Sequence, residues 1–282
     1  MIEIIHVSDL HLGKTKDWTK KAQRFIKNIL EKFQVDKNKD THLLITGDII
    51  DNWGTAKNLW KDQYKSAEET LSVFKSKASA VPGNHDYGLG GFGYSKACVD
   101  YFDNSFLPAL GVRHIFRTKR PYLEILDDEK GSKVLLIGLN SCLMTPSPLD
   151  LARGEIGEKQ RIKLDEILSD PANKDIPKIV YLHHIPNRRA EGLGMSLMDY
   201  KELMAIVKER VDALAFGHEG TMKHPSKRKA RPVSPPIRPM RIRSGASRGI
   251  KYYLDANTSL SEQSCYQIVV DGSRISAKLI KL

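Results

Sequence analysis

The sequence is poor in the features that would take it out of the ordinary globular class. Of its 282 residues only three are cysteines, Cys98, Cys142 and Cys265. They lie far apart, form no CxxC pair and are odd in number, which excludes a disulfide framework and suits buried free thiols in a reducing, cytoplasmic setting. No apolar run approaches the roughly 18 residues of a membrane span. Met1 to Leu12 lacks a basic segment followed by a long apolar stretch, so it reads as a first strand rather than a leader. Acidic residues are missing from one stretch: between Gly220 and Leu254 stand ten basic residues and no acidic one. Removing those ten from the 45 Lys and Arg leaves 35 against 34 Asp and Glu, so the net charge of +11 describes one segment. That segment, and not the whole chain, raises the question of an anionic partner.

What is present fits one α/β domain over residues 1–282, with 40% apolar residues to build a core. Short β-branched or Leu-rich runs alternate with longer stretches of helical period. Strands are expected at Ile2 to Val7, Leu43 to Thr46, Ala78 to Val81, Tyr122 to Leu126, Val134 to Leu139, Ile179 to Leu182, Ala213 to Phe216, Met240 to Arg243, Cys265 to Val270 and Ile275 to Ile280. Amphipathic helices are expected at Trp18 to Phe33, Leu59 to Phe74 and Glu158 to Leu168, each with apolar residues on one stripe. Asp271-Gly272 between the last two strands is a hairpin signal, so the chain should close with an antiparallel pair. Met222 to Pro239 holds five of the thirteen prolines and the Lys227-Arg228-Lys229 run, which predicts a basic, Pro-rich loop at about 222–239.

The strand ends carry the chemistry. The first runs into Ser8-Asp9-Leu10-His11, the second into Gly47-Asp48-Ile49-Ile50-Asp51 and the third into Pro82-Gly83-Asn84-His85-Asp86. Two later ones run into His183-His184 and Gly217-His218. Each element is weak alone. Together they put ionisable groups at the carboxyl edges of five strands, where open α/β sheets form their ligand crevice. Burying so many such groups costs several kcal/mol per unpaired charge unless a cation compensates them. Carboxylate, amide oxygen and imidazole without thiolate suit Mn, Fe, Zn or Co. Two such ions bridged by a shared carboxylate can hold a hydroxide and clamp an in-line phosphoryl displacement, so the implied chemistry is hydrolysis of a phosphate ester.

The series Asp9-x-His11, Gly47-Asp48-x-x-Asp51, Gly83-Asn84-His85-Asp86, His183 and Gly217-His218 resembles the calcineurin-like metallophosphoesterases, with cyclic-nucleotide-phosphodiesterase-like members of this size the nearest comparison. Gly154-Glu155-Ile156-Gly157, followed by Gln160 and Leu164, resembles a helix start that members carry before the fourth motif. The resemblance implies a four-layer α/β/β/α sandwich with mixed sheets and two divalent ions, Mn, Fe or Zn. It implies that Asp9 and His11 bind the first ion, that Asp48 bridges, and that Asn84, His183 and His218 bind the second. His85 would stand beside the substrate, stabilising phosphoryl oxygens or protonating the leaving group, with Asp86 orienting its ring. His183 is preferred to His184 because it follows the strand directly, and Asp51 reads as a supporting or loop-capping residue.

One position departs from the resemblance. The family pattern Gly-His-x-His is here Gly217-His218-Glu219-Gly220. Three outcomes stay open: a weakly held first ion with low activity, the favoured one; substitution by Glu219 or His224; or function with one tightly held ion. Around this core the weaker features have ordinary readings beside functional ones. Gly88 to Gly93 fits G-x-G-x-x-G but lacks its βαβ setting, and reads as a loop at the rim of the site. Arg188 and Arg189 are candidate substrate contacts or solvated charges in equal measure. His6, His42 and His114 read as structural. The basic loop, 223–251, is either solvated surface, slightly favoured, or a nucleic-acid footprint. The expected function is a metal-dependent phosphoesterase acting on a phosphodiester or phosphomonoester. The alternatives are an exo- or endonuclease of the same superfamily, whose DNA-repair members share the Ser8 to Gly13 wording, and a low-activity binding or scaffold member. Oligomeric state leaves no mark in the sequence.

Overall fold

The computed structural model describes residues 1–35, 40–52, 59–88, 94–142, 153–186, 197–218, 250–256 and 259–282. Its ten strands among these residues are β1 (Ile2–Val7), β2 (Thr41–Ile45), β3 (Ala78–Ala80), β4 (Tyr122–Asp127), β5 (Lys133–Gly138), β6 (Lys178–Tyr181), β7 (Ala213–Phe216), β8 (Tyr252–Asp255), β9 (Ser264–Asp271) and β10 (Arg274–Lys281). They form two five-stranded sheets, in the orders β10-β9-β1-β2-β3 and β4-β5-β6-β7-β8. Both are mixed: β1, β2 and β3 are parallel, with β9 antiparallel to β1 and β10 antiparallel to β9, and β5 to β8 are parallel with β4 antiparallel to β5.

The helices are α1 (Lys16–Phe33), α2 (Leu59–Leu71), α3 (Asn84–Tyr87), α4 (Lys96–Tyr101), α5 (Leu107–Ala109), α6 (Glu158–Ser169), α7 (Tyr200–Val207) and α8 (Ser259–Glu262). Thr15 caps α1 by accepting from the backbone N–H of Trp18, and Gln34 ends it in the left-handed region. The stripe Ala22, Phe25, Ile26, Ile29 and Phe33 is buried, each large side chain stabilising by about 1.5–3 kcal/mol relative to exposure. The expected helix to Phe74 changes to a 3-10 turn over Ser72–Phe74.

Alternation in the second sheet builds the layers. Val134, Leu136, Ile179, Tyr181, Ala213, Ala215 and Leu254 join the core shared with the first sheet, α1 and α2. Their neighbours Leu135, Ile137, Val180, Leu182, Leu214 and Phe216 face the other way and pack on Leu164 of α6 and on Leu203 and Val207 of α7. The architecture is therefore the four-layer α/β/β/α sandwich. The Asp271-Gly272 turn joins β9 and β10 in the expected hairpin. The strand beside β7 is β8, a Tyr-Tyr-Leu-Asp run that a reading by apolar runs passes over, whereas Met240 to Arg243 lies outside the described residues. Among the described residues no helix is long and apolar enough to cross a membrane.

Candidate metal centre

The carboxyl edges of β1, β2, β3, β6 and β7 meet at one end of the sandwich, and the turns after them are unusually tight. Asp9, His11, Asp48 and His218 all have left-handed backbone, with φ of 56°, 43°, 51° and 76°. Non-glycine residues hold such conformations only where the surroundings over-determine them, and they gather at functional sites. Close backbone approach fixes two neighbours: a Cβ at Gly83 would stand 2.1 Å from Asp48 Oδ1, and one at Gly217 would stand 1.9 Å from Ser8 Oγ.

The structure brings together Asp9, His11, Asp48, Asn84, His85, His183 and His218. Asp48 Oδ1 lies 3.4 Å from His183 Nε2, and Asp48 Oδ2 lies 3.8 Å from His11 Nε2 and 3.9 Å from His85 Nε2. Asp9 Oδ1 is 3.9 Å from His11 Nε2. His183 Nε2 also lies 3.0 Å from Asn84 Oδ1 and 2.8 Å from His218 Nδ1. One ring nitrogen carries a single proton or a single lone pair, so it cannot satisfy three neighbours that are themselves mostly Lewis bases. A cation among them accepts all the lone pairs at once. Three groups have donor atoms within 4.8 Å of one another: His11, Asp48 and His85; Asp9, Asp48 and His183; and His183, His184 and His218. This donor set fits a divalent ion on each side of Asp48.

Electrostatics express the same demand for positive charge. Burial works to raise the Asp48 carboxyl, yet His183, His85 and His11 hold it well below the usual range. Burial opposes charge on His183, but Asp48 and then Asp9 push its imidazole up to about 9. In the absence of an ion, a proton takes over part of the cation's work. Asp9 is pushed up, by burial first, and His85 is pushed down, again by burial first, against the pull of Asp48. His11 is raised despite burial, through Asp51 and the Asp48 and Asp9 charges.

The residues behind the donors are only partly those expected. His183 Nδ1 donates to the Thr46 carbonyl at 2.7 Å across the two sheets, which leaves Nε2 for the site. Asp51 Oδ1 is 3.4 Å from His11 Nδ1, and the Asp51 carbonyl accepts from His85 Nδ1. The expectation that Asp86 orients His85 is thus corrected. The Asp86 carboxylate instead accepts from the backbone N–H groups of Gly83, Ile49 and Ile50, tying the second motif to the third, and burial with the Asp48 charge pushes it up to about 7. The His85 ring gives its Nδ1 proton to the Asp51 carbonyl, and the Asp86 carboxylate is taken up by the three turn amides.

Sequence reasoning passed over other supports. Asn52 holds the turn by donating to the His85 and Gly88 carbonyls. Ser141 bonds His184 at both its backbone N–H and Nδ1. The helix-start motif singled out in the sequence packs behind them: Gly154 lies against the His184 ring, where a Cβ would stand 2.3 Å from Cγ, and Gln160 bonds the backbone of Asn140. No spacing rule marks Thr46, Asn52 or Ser141, and only adjacency to the motifs could have flagged them. His6 and His42 are structural, bonded to Thr46 Oγ1 and Ser79 Oγ, and His114 lies on the Arg120 carbonyl. Arg188, Arg189, Glu219, Gly220, His224, nearly all of the 223–251 segment and Leu89 to Gly93 lie outside the described residues.

A family model for calcineurin-like phosphoesterases matches residues 2–222, and the chain belongs to that family. Among solved structures it is similar to a dimetal phosphatase from Danio rerio, at 13% identity over 99% of this chain and 98% of that one, with a TM-score of 0.57. It is also similar to a protein from Thermus thermophilus, at 11% identity over 98% of this chain and 97% of that one, with a TM-score of 0.50. At these identities the likeness carries the fold. No curated protein sequence matches. Family and donor set together support metal-dependent hydrolysis of phosphoesters as the class of activity.

Proposed function

We propose that the protein is a dinuclear metal-dependent hydrolase of a phosphodiester or phosphomonoester. The observation that carries the reading is the division of Asp48, whose Oδ1 faces His183 while its Oδ2 faces His11 and His85. Asp9, His11 and Asp48 would hold the first ion, and Asp48, Asn84, His183 and His218 the second. Divalent ions bound there, with Mn, Fe or Zn suited to these ligands, supply Lewis acidity for phosphoryl oxygens and lower the pKa of a water.

The chain's own residues do the rest. Thr46 fixes the ring orientation of His183, and Asp51 stands 3.4 Å from His11 Nδ1, which leaves the Nε2 atoms of both rings for the metal positions. Asp86 clamps the second and third motif turns so that Asp48 and Asn84 keep their places. Gly220 takes one imidazole of the family pattern from the first position, which supports weaker binding there than at the second. A nuclease reading is favoured by one observation, the ten basic residues between 223 and 251; binding to duplex or single-stranded DNA that falls steeply with salt, and on neutralising Lys227, Arg228 and Lys229, supports it.

The test is hydrolysis of chromogenic phosphate mono- and diesters by chelator-stripped protein with and without added Mn. Turnover that depends on the metal and is lost in His183→Ala is expected. Protein that takes up Mn yet turns over no ester, DNA included, supports the binding or scaffold alternative.

A further inference from the structure

The first side of the cluster carries one donor more than the family pattern assigns to it. Asp48 Oδ2 lies 3.8 Å from His11 Nε2 and 3.9 Å from His85 Nε2, and Asp9 Oδ1 lies 3.9 Å from His11 Nε2. The donor atoms of His11, Asp48 and His85 lie within 4.8 Å of one another. Two donors on one divalent ion at about 2.1 Å stand at most about 4.2 Å apart, and the 3.8 and 3.9 Å separations fall within that span. The two rings stand edge to face, centroids 4.7 Å apart.

Hydrogen bonding fixes the tautomer of His85. Its Nδ1 lies on the Asp51 carbonyl, which only accepts, so Nδ1 carries the proton and Nε2 presents a lone pair. That lone pair faces a carboxylate oxygen at 3.9 Å, too far for a hydrogen bond and unfavourable unless a cation lies between. Donation from one ring nitrogen to a carbonyl, with the other turned to the ion, is how metal-bound histidines are oriented. His183 is arranged in the same way against the Thr46 carbonyl. Meanwhile the imidazole that the family pattern places on the first ion is replaced by Gly220.

We infer that His85 is a ligand of the first metal position, supplying with Asp9, His11 and Asp48 the imidazole that position 220 lacks. The inference rests on the metal-dependent reading above and changes the role the resemblance implies for His85. A bound Nε2 has no proton to give a leaving group. The substrate class therefore narrows to esters whose leaving group departs as a stable anion, such as aryl phosphates and phosphoric anhydrides, in preference to alkyl esters.

The experiment is Mn titration of the full-length, chelator-stripped protein, with metal content measured after desalting and with Co absorption spectra as a second readout. Wild type is expected to bind two equivalents. His85→Ala is expected to keep one and to weaken the other about 100-fold, with the melting temperature of the metal-free protein little changed. His85→Gln, which keeps a hydrogen-bonding group but not the imidazole, should show the same loss and the same change in the Co bands. It also serves if His85→Ala does not fold. Unchanged metal content and affinity in either folded variant overturn the inference, whether wild type binds one equivalent or two. Wild type that binds no metal overturns the metal-dependent reading itself. The leaving-group series gives the remaining check: kcat/KM should fall at least about 100-fold from aryl to alkyl esters, and a flat series contradicts the bound state of His85.

Discussion

The two sides of Asp48 are built differently from similar donors. On one side His183 is fully buried and His218 is 3% exposed, with His183 locked onto the Thr46 carbonyl of the opposite sheet. On the other side the His11 and His85 side chains keep 14% and 19% of their surface, and both are held by a single residue, Asp51. The buried side is preorganised by strands from both sheets, while the open side hangs on the turns after β1, β2 and β3 of the first sheet. An ion on the buried side should therefore bind first and leave last, and the open side should be where substrate and solvent meet the centre. The division of labour follows from where the sandwich closes and where it gapes, since the donors themselves are nearly the same.

Removing what the two sides share should have the largest effect. Asp48→Ala should abolish uptake of both ions and lower kcat/KM by at least about 1000-fold, by the scale on which transition-state charge stabilisation acts. Metal analysis beside kinetics checks it, and a variant that keeps both ions would mean that each side is complete without the bridge.

The next largest effect belongs to histidines outside either side, and it separates acid instability from loss of metal. Burial pushes His6 and His42 down to about 3, whereas in the unfolded chain each titrates near 6.5. Well below pH 6.5 these two sites bind two more protons in the unfolded state than in the folded state. Stability is therefore undiminished above that pH and is lost as the pH falls from 6.5 toward 3. At pH 5 the loss is about 2 kcal/mol for each histidine. In denaturant titrations of the metal-free protein between pH 7 and pH 4.5 the Asp86 carboxyl, raised to about 7, opposes this slope, and His42→Gln should shift the net slope by one proton relative to wild type. A slope unaltered in that variant would trace the acid limb to the metal ligands instead.

A smaller change should break the symmetry of the comparison from behind. Gly154→Ala places a methyl 2.3 Å from the His184 ring and 2.7 Å from the Ser141 carbonyl. His184 stands 4.2 Å from His218, centroid to centroid. Overpacking of this kind costs about 1–3 kcal/mol, and it should weaken the buried ion more than the open one. Calorimetric Mn titration distinguishes the two, and equal weakening would show that His184 does not support one side in particular. The smallest effect is expected from Asp51→Asn, which leaves the carbonyl on His85 intact and alters the contact to His11 Nδ1. It should weaken the open-side ion about tenfold and leave the buried one unchanged.

Much of this was legible beforehand, and the reasons are local. Alternation and β-branched content marked nine of the ten strands, and Asp271-Gly272 marked the hairpin. The motif residues stood in order at the ends of strands. What escaped was non-local. β8 was missed because Tyr252 to Asp255 is short and its strand character comes from pairing with β7. Asp86 was assigned to its sequence neighbour His85, but its carboxylate found amides as far off as Ile49, 37 positions away. Thr46 and His183 are 137 positions apart, and nothing in either residue's surroundings announces the other.

The sequence by itself determined the chemistry available: which Lewis bases exist, their order along the chain, the fold that gathers strand ends, and the glycine at 220. Only the tertiary structure decided which nitrogen of each imidazole carries the proton, which carboxylate supports a turn and which serves the site, and which side of Asp48 is buried. The physical reason is the same in each case. A side chain's ionisation and tautomer are set by the nearest acceptor and by the water removed around it, and both come from residues that meet only when the two sheets close.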